Sequence, residues 1–489
     1  MVPPPTSLLM NPRLLPALLT ACLLTLRAAA TDTPATPVAP APVPAPAPVA
    51  APTDWIDPDT GHRVVQLDDQ AGSGTLYFHQ TTYTPEGDKL IFNTPAGIAV
   101  VEVKAIGTPA GKAGIVVPEA SAVNMARRSR EVYFTKGGGR RGPRAERPTV
   151  APVGAGNGAA GIPLAPGDAQ RNGFTPPPPT PLMAANLDTR AVREIPNATS
   201  RNSTINADET FAVSTIPAVD PTGKVQPPVE RAHISQMERM FPGKKPEELT
   251  EDQRYAAQKE DGLSRRVFNP DSMAFVFTNL KTGEQKTVGY QYAWLNHMQF
   301  NPVDPSLLLY CHEGTWHEVD RVWTIRTDGS QQVLRHQRTM NMEIAGHEFW
   351  SHDGKTIWFD QQTPRSQDFW IAGVNIATGK ETRYHLERDW WSVHYNVSWD
   401  GKLFGGDGGD STQVAFAKDG MWINLFTPQP DGSVVREKLV NMAKHNYVTG
   451  KGGVEPNLSI TPDNKWVVFT GNFFGPRHVY AVEIAKSKK

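Results

Sequence analysis

The sequence predicts an all-β fold, a seven-bladed β-propeller with a small helical insertion and a disordered N-terminal tether. The first observation is a repeat made of a strand, a Pro-Asp-Gly-like turn and a second strand. The repeat occurs as YTPEGDKLIF at 83–92, FWSHDGKTIWF at 349–359, VSWDGKLFGG at 397–406 and SITPDNKWVVF at 459–469, with the variant FNPVDPSLLLY at 300–310. The second is the number of such turns, which lie near residues 85, 127, 207, 302, 352, 399 and 462. Where no long insertion intervenes, their spacing of about 42 to 63 residues is typical of four-stranded blades. A pair of β-sandwiches is the alternative, but regular repeats that run to the C-terminal end favour the propeller.

The N-terminal segment predicts export. Arg13 precedes the apolar run LLPALLTACLLTL, and Ala28-Ala29-Ala30 follows it, so residues 1–30 are expected to be a signal peptide. A lipoprotein cleavage box that ends at Cys22 is the alternative. The apolar run is short for a bilayer span, and we expect no transmembrane segment after processing. Either alternative predicts a periplasmic or secreted protein.

Biased composition marks a linker and two insertions. Residues 31–53 are rich in Pro and Ala and are expected to be an unfolded linker ahead of the propeller domain at 54–489. The insertion at about 136–182 is rich in Gly, Pro and Arg, which predicts a mobile loop. The insertion at about 217–270 contains helix-like patches, which predict a small helical cap. The segment HRVVQL at 62–67 is expected to pair into the last blade and close the ring.

Composition narrows the possible partners. The chain has 489 residues, 39% of them hydrophobic, and a net charge of −1, so no overall field favours nucleic acid or an anionic membrane. After processing only Cys311 remains, which excludes an internal disulfide and indicates a core cysteine.

Five polar residues share one position of the repeat, five residues before the first residue of the turn. They are Gln80, His297, His347, His394 and Asn457. Equivalent positions in a closed ring of blades face one axis, so these side chains are expected to converge there. The segment 312–321 is predicted to connect the second and third strands of a blade, and both long insertions are predicted to do the same. Such connections lie on the same face of the ring as the five repeat-equivalent residues. Converging imidazoles and amides indicate a site rather than a core.

Motifs in the C-terminal half carry a family resemblance. WLNHMQF, YCHEGTWHEVDRVW, GHEFWSHDGK, SVHYNVSWDGKLFGGDGG and EPNLSITPD resemble successive motifs of the oligogalacturonate lyases, a polysaccharide lyase family. The similarity covers the blades from about residue 278 onward well and the N-terminal blades weakly. It implies a seven-bladed propeller that cleaves short 4-linked galacturonides by β-elimination, with a divalent metal, typically manganese, at the site.

The resemblance also implies roles for single residues. His347 corresponds to the family's proton-abstracting histidine, Arg321 to its essential arginine and His394 to a metal-ligand histidine. His297, His312, His317 and Gln80 are expected to contact an acidic oligosaccharide.

The remaining metal ligands of the family depart from its pattern here. A His-x-His pair is replaced by Glu455-Pro456-Asn457, and the position of a nearby glutamine falls near Gly452. Carboxylate and amide oxygens favour Mn²⁺, with Mg²⁺ or Ca²⁺ as alternatives, over Zn²⁺.

The proposed chemistry accounts for these residue types. Lyase action removes the C5 proton of a uronate, and positive charge on the adjacent carboxylate stabilises the anion that develops. A neutral histidine is a sufficient base, and the planar guanidinium of arginine pairs with a carboxylate through two hydrogen bonds. His347 and Arg321 are both expected to face an open site, so that replacing either should leave thermal stability unchanged.

Two other functions are compatible with a propeller fold. The first is a non-catalytic exported propeller that binds a protein or glycan partner, which would leave the histidines of one face unexplained. The second, the propeller of a serine peptidase, is excluded because no G-x-S-x-G segment with a following α/β domain occurs. The choice among uronides, the chain length and endo or exo action are not set by the sequence.

Overall fold

Seven antiparallel sheets follow one another along the chain and form a ring, as the repeat predicts. The computed structural model describes residues 51–137, 178–229, 235–268, 270–410, 421–447 and 453–486. The expected signal peptide, most of the linker and much of the insertion at 136–182 lie outside these residues.

The first three blades are assembled from strands that are adjacent in the sequence. Blade 1 contains β3 (Lys89–Thr94), β4 (Gly97–Glu102) and β5 (Gly114–Pro118), and Tyr83 pairs with Leu90 along its inner edge. Blade 2 contains β6 (Ala120–Met125), β7 (Glu131–Lys136), β8 (Pro181–Asn186) and β9 (Val192–Thr199). Blade 3 contains β10 (Thr204–Ile205), β11 (Phe211–Pro217), β12 (Ser272–Asn279) and β13 (Gln285–Tyr292).

The next three blades repeat this order. Blade 4 contains β14 (Trp294–Phe300), β15 (Leu307–Glu313), β16 (Val322–Arg326) and β17 (Val333–Leu334). Blade 5 contains β18 (Ile344–Trp350), β19 (Thr356–Gln362), β20 (Phe369–Asn375) and β21 (Glu381–Leu386). Blade 6 contains β22 (Tyr395–Val397), β23 (Phe404–Gly406), β24 (Trp422–Pro428) and β25 (Val434–Asn441).

Blade 7 closes the ring by joining the two ends of the domain. It contains β26 (Ser459–Ile460), β27 (Trp466–Gly471) and β28 (His478–Lys486), followed outward by β2 (His62–Gln66) and β1 (Asp54–Ile56). Val64 lies opposite Val482 across the β2–β28 pair. The predicted closure by residues 62–67 is therefore confirmed.

Local side-chain chemistry shapes the repeated turns. The hydroxyls of Ser351, Ser398 and Thr461 each donate to the Oδ1 atom of an aspartate two residues later, at 2.7 Å in all three blades. The residue after that aspartate has a left-handed backbone in each case, with φ of 67° at Gly354 and 70° at Gly401. Glycine adopts this conformation without strain, which explains the Asp-Gly pairs of the repeat.

The core lies between neighbouring blades, because both faces of each sheet pack against another sheet. Leu90 and Phe92 of blade 1, for example, pack with Val468 and Ala481 of blade 7. Burial on both faces explains runs such as LLLYC and WVVF, which lack the alternation of a half-exposed strand.

The insertion at about 217–270 contains the predicted helices. They are α1 (Gln236–Met240) and α2 (Glu251–Phe268), in the connection between β11 and β12. The other insertion joins β7 to β8, so both belong to second-to-third-strand connections, as expected. Short 3-10 turns occur at Val103–Ala105, Pro246–Glu248 and Arg388–Trp390. Among the described residues, no helix is both long enough and apolar enough to cross a membrane.

Candidate active site

An unusual backbone conformation recurs at three of the five repeat-equivalent positions. His297, His347 and Asn457 have φ of 48°, 46° and 49°, in the left-handed region that residues other than glycine seldom adopt. In blades 4 and 5 the pairing register shifts around the histidine, between Asn296 and Gln299 and between Gly346 and Phe349. Such bulges redirect a side chain and are frequent beside active sites.

Two of the histidines form matching pairs with aspartates: Asp360 lies on the neighbouring strand, and Asp407 directly follows the neighbouring strand. Nδ1 of His347 lies 2.8 Å from Oδ1 of Asp360, and Nδ1 of His394 lies 2.8 Å from Oδ2 of Asp407. Each aspartate follows its histidine by 13 residues. The two imidazole rings meet edge to face with their centroids 4.6 Å apart, so blades 5 and 6 bring the predicted base and the predicted metal ligand into contact.

The two pairs differ in electrostatics. Burial lowers the pKa of His347 below its ordinary value of 6.5, and Asp360 offsets only part of this effect. Burial acts in the same direction on His394, but Asp407 and Glu455 outweigh it and raise the pKa above 6.5. His347 is therefore neutral at pH 7, with its Nδ1–H donated to Asp360 and a lone pair on Nε2.

Arg321 lies at the centre of a second group, which we call the arginine cluster and define as Arg321, His297, Cys311, Glu313 and Glu348. Its Nη1 donates to Oε1 of Glu313 at 2.6 Å, and its Nε lies 3.5 Å from Oε2 of Glu348. Its Nη2 lies 3.4 Å from both the Cys311 sulfur and Nδ1 of His297. His297 also faces Glu348 at 3.2 Å.

The expectation that His347 and Arg321 face an open site is wrong, because His347 is 6% exposed and Arg321 is 1% exposed. Burial disfavours the charge of Arg321, but Cys311, Glu313 and Glu348 outweigh this and hold the pKa of Arg321 well above the ordinary value. Burial likewise opposes the charge of Glu313, yet Arg321 and His297 lower the pKa of that carboxyl to about 2. The carboxylates draw the guanidinium inward because a buried charge is stable only when it is paired.

His297, Cys311 and Glu313 offer ligand atoms within 4.8 Å of one another, as a metal site would. Arg321 contacts all three of these residues. A guanidinium among the ligand atoms supplies the positive charge itself, so this group does not need an ion.

The other two predicted metal ligands lie beside His394. Oε2 of Glu455 is 3.8 Å from Nε2 of His394, and the Glu455 side chain is 19% exposed. The Asn457 amide oxygen accepts a long hydrogen bond from the Phe78 backbone N–H, at 3.3 Å. Asp407 holds Nδ1 of His394 and so directs Nε2 toward Glu455, which is the usual outer support of a metal-binding histidine. Imidazole nitrogen, carboxylate and amide oxygen together fit a hard divalent ion.

A segment ahead of blade 1 enters the ring, and we call residues 75–80 the entry segment. Its Phe78 stacks on His394 with centroids 4.7 Å apart and also contacts His347 at 5.9 Å. Tyr77 contacts both His394 and His297, at 5.4 and 5.7 Å. The entry segment therefore adds aromatic side chains to the site, which the sequence did not reveal.

Gln80 holds the entry segment in place. Its amide oxygen accepts from the Tyr77 backbone N–H at 2.9 Å, and its amide nitrogen donates to the Val123 carbonyl at 3.0 Å. Both ends of the side chain are engaged with backbone, and the expected contact of Gln80 with substrate stays a prediction.

The two remaining histidines lie apart from the axial group. Nε2 of His312 donates to Oε1 of Gln291 at 2.7 Å, and the ring stacks on Trp323. Burial together with Arg321 lowers the pKa of His312 to about 4. His317 is 4% exposed and contacts Arg365 through Nδ1 at 3.3 Å. Their expected roles in substrate binding stay predictions.

The helical insertion covers the loop that carries His317. Gln236 of α1 donates to Glu318 at 3.2 Å, Arg239 pairs with the same carboxylate, and Glu260 of α2 pairs with Arg365 at 2.8 Å. Within that loop, Trp316 contacts the His347 ring at 5.0 Å and lies under the Arg321 guanidinium at 5.5 Å. The loop thus links the base to the arginine cluster.

Several residues of the site were missed at the level of sequence. They are Tyr77, Phe78, His79, Glu313, Trp316, Glu348, Asp360 and Asp407. A usable signal existed for the two aspartates, since each follows its histidine by the same 13 residues. No repeated spacing marks the others.

Sequence comparisons locate the family resemblance in the C-terminal half. Residues 263–488 match the family described as oligogalacturonate lyase. An oligogalacturonide lyase from Pectobacterium atrosepticum is 28% identical over 230 residues, and an oligogalacturonate lyase from Dickeya dadantii is 30% identical over 230 residues. Each match covers 44% of this chain and 58% of the relative.

Solved structures show the same fold over most of the chain. An oligogalacturonate lyase in complex with manganese superimposes with a TM-score of 0.60 at 18% identity, over 88% of this chain and 96% of that one. An oligogalacturonate lyase from Vibrio parahaemolyticus gives a TM-score of 0.59 at 19% identity, over 89% and 97%. The family resemblance inferred from the motifs is therefore confirmed: over residues 263–488, this chain is similar to the oligogalacturonate lyases.

Proposed function

We propose that the protein is a lyase that cleaves short 4-linked uronides, oligogalacturonides first, by β-elimination. The observation that carries the proposal is the contact between the His347–Asp360 pair and the His394–Asp407 pair, with the arginine cluster beside them. Two relatives that match over 230 residues are an oligogalacturonide lyase and an oligogalacturonate lyase, which supports a lyase reaction.

His347 acts as the base. Asp360 occupies Nδ1, so Nε2 is the atom that accepts the C5 proton of the uronate. The electron pair of the C5–H bond forms the C4=C5 double bond, the bond from C4 to the bridging oxygen breaks, and that oxygen takes a proton from solvent. The product is a 4,5-unsaturated uronide, and no water is consumed.

Arg321 supplies positive charge to the uronate carboxylate. Its Nη1 is held by Glu313 at 2.6 Å, whereas Nη2 makes only the two contacts of 3.4 Å within the arginine cluster. Because Arg321 is 1% exposed, a substrate carboxylate would have to displace the contacts with His297 and Cys311 to reach Nη2, while Glu313 and Glu348 would keep the guanidinium in place. Charge-assisted hydrogen bonds of this kind are stronger than those between neutral groups.

His394, Glu455 and Asn457 would hold a divalent ion, Mn²⁺ first and Mg²⁺ or Ca²⁺ as alternatives. When bound, such an ion supplies further positive charge to the uronate carboxylate and so favours the anion that forms at C5. The charges of the site support this need for a cation. Among the described residues, Arg321 is the arginine that contacts the carboxylates of the site. The site has five carboxylates, on Glu313, Glu348, Asp360, Asp407 and Glu455.

The place of action is part of the proposal. Residues 1–30 serve as a signal peptide and 31–53 as a linker, which delivers the propeller to the periplasm or the exterior. A lipid anchor at Cys22 is the alternative.

One assay tests the proposal. The purified protein is incubated with oligogalacturonides, and in parallel with oligoglucuronides, and the ultraviolet absorbance of the unsaturated product is followed with Mn²⁺ and with EDTA. We expect product from oligogalacturonides that depends on Mn²⁺. Binding of the oligosaccharide without any unsaturated product would instead favour a non-catalytic binding module.

A further inference from the structure

The entry segment carries two polar rings that the proposed reaction does not use. Tyr77 and His79 are both half-buried, and their rings meet edge to face with centroids 4.9 Å apart. His79 lies 5.6 Å from His297, and Tyr77 lies between His297 and His394. These two rings therefore line the space between the arginine cluster and the candidate metal ligands.

The backbone of the entry segment is fixed by other blades. The Thr75 hydroxyl meets Thr470 of blade 7 at 2.8 Å, and the Phe78 carbonyl accepts from Asn396 of blade 6 at 2.9 Å. Phe78 itself is 2% exposed and serves as the anchor. Side chains on a segment held this way are preorganised, which reduces the entropy lost when a ligand binds.

The polar atoms of the two rings are available. The Tyr77 hydroxyl has no hydrogen-bond partner among the described residues, and the His79 imidazole has none there beyond its own backbone. A tyrosine hydroxyl can donate one hydrogen bond and accept another, and the His79 imidazole, one of whose nitrogens faces its own backbone, keeps the other nitrogen for a ligand.

We propose that Tyr77 and His79 form a wall of the site that binds the hydroxyl groups of the uronide. The inference rests on the proposed function and deepens it. Arg321 and the metal ligands offer charge, which suits the carboxylate, whereas sugar hydroxyls pair best with groups that both donate and accept. The ring faces also match the C–H groups of a sugar.

Binding measured without turnover tests this inference. Trigalacturonate is titrated calorimetrically, in the presence of Mn²⁺, into His347→Ala protein that also carries Tyr77→Phe or His79→Phe. Each change keeps a ring and removes its polar atoms. We expect each to weaken binding about 5- to 10-fold, as loss of a hydrogen bond in a site does, with the melting temperature unchanged.

Matched controls come from residues remote from the site. Tyr83→Phe removes a hydroxyl that bonds Ser459 at 3.0 Å, and His352→Phe removes a half-buried imidazole from a turn. Both should leave the affinity for trigalacturonate unchanged. Equal affinity in the Tyr77→Phe, His79→Phe and parent proteins overturns the inference and leaves the lyase proposal intact. If the unsubstituted protein neither binds nor cleaves any uronide, both proposals fail.

Discussion

His347 and Asp360 are joined by a 2.8 Å contact between Nδ1 and Oδ1, and the same contact recurs one blade later between His394 and Asp407. The repeat has thus produced two equivalent pairs whose histidines have pKa values displaced in opposite directions. A neutral imidazole suits a base, and an imidazole beside an additional carboxylate suits a metal ligand. His347 and His394 occupy equivalent positions of the repeat but have different surroundings, which explains how one repeat supplies both the proposed base and the proposed metal ligand.

Replacing His347 by alanine should lower turnover of oligogalacturonides at least about 10²-fold, because the proton acceptor is lost. The initial rate of formation of the unsaturated product measures this effect, and the melting temperature verifies the fold. His352→Ala, which removes an imidazole from a turn remote from the site, should retain full activity. Near-normal turnover in His347→Ala would exclude it as the base.

Replacing Asp360 and Asp407 by alanine, one at a time, should show that Asp360 supports the base and Asp407 supports the metal ligand. Asp360→Ala should lower kcat about 10-fold or more while Mn²⁺ affinity is kept, because only the orientation of the base is lost. Asp407→Ala should instead weaken Mn²⁺ binding about 10- to 100-fold, the usual effect of removing the outer partner of a metal-ligand histidine. Calorimetry with Mn²⁺ and steady-state kinetics give the two readouts. The same pattern in both variants would contradict the division of functions.

Arg321→Ala should abolish activity and also destabilise the protein by about 3–5 kcal/mol, because it leaves Glu313 and Glu348 buried without their partner. Arg321→Lys keeps a positive charge and should lose less stability, yet it should remain nearly inactive because an ammonium cannot replace the planar guanidinium. Urea unfolding measures the stability of both variants. A fully stable Arg321→Ala protein would show that the arginine cluster is not a structural ion-pair network.

EDTA should abolish activity, and Mn²⁺ should restore it better than Zn²⁺, because two of the three ligands offer oxygen. Glu455→Ala should weaken Mn²⁺ binding more than Asn457→Ala, since only the carboxylate contributes charge. Glu437→Ala, on an outer strand, is the control and should bind Mn²⁺ normally. Full activity in the metal-free protein would leave Arg321 as the neutralising group and refute the metal proposal.

His336 should stabilise the protein in a pH-dependent way. Its two ring nitrogens lie 2.8 Å from Glu381 and 2.9 Å from Glu343, so only the doubly protonated ring can donate to both. Burial opposes this charge, but the carboxylates outweigh it and raise the pKa of His336 above 6.5. A raised folded-state pKa gives stability that is complete below 6.5 and is lost as the pH rises through the folded-state value.

Replacing His336 by phenylalanine should therefore destabilise the protein by about 3 kcal/mol near pH 6 and by clearly less near pH 9. Urea unfolding of both proteins at the two pH values gives the difference. His352→Phe should show the opposite trend, because burial lowers the pKa of that imidazole to about 3 and the neutral ring then costs stability below pH 6.5. A difference that grows with pH would contradict a charged His336.

The sequence alone determined the seven blades and their closure. The turns are specified by contacts between residues close in the sequence, as in the hydroxyl of Ser398 donating to Asp400. Short sequence motifs are therefore sufficient to predict them. The register also placed His347 and His394 at one axis, because a closed ring of equivalent blades admits no other arrangement of equivalent positions. The ring contact of 4.6 Å between them confirms this convergence.

Only the tertiary structure decided what surrounds those histidines. Asp360 comes from the next strand at a spacing that recurs only once among the described residues, between His394 and Asp407. Tyr77 and His79 come from a segment ahead of the first blade, and their contacts with the histidines belong to no local pattern. The burial of Arg321 was likewise invisible, since a loop arginine in the sequence shows nothing of the two carboxylates that enclose it. Local hydrogen bonding fixed the blades, whereas the charges of the site depend on which strands the closed ring brings together.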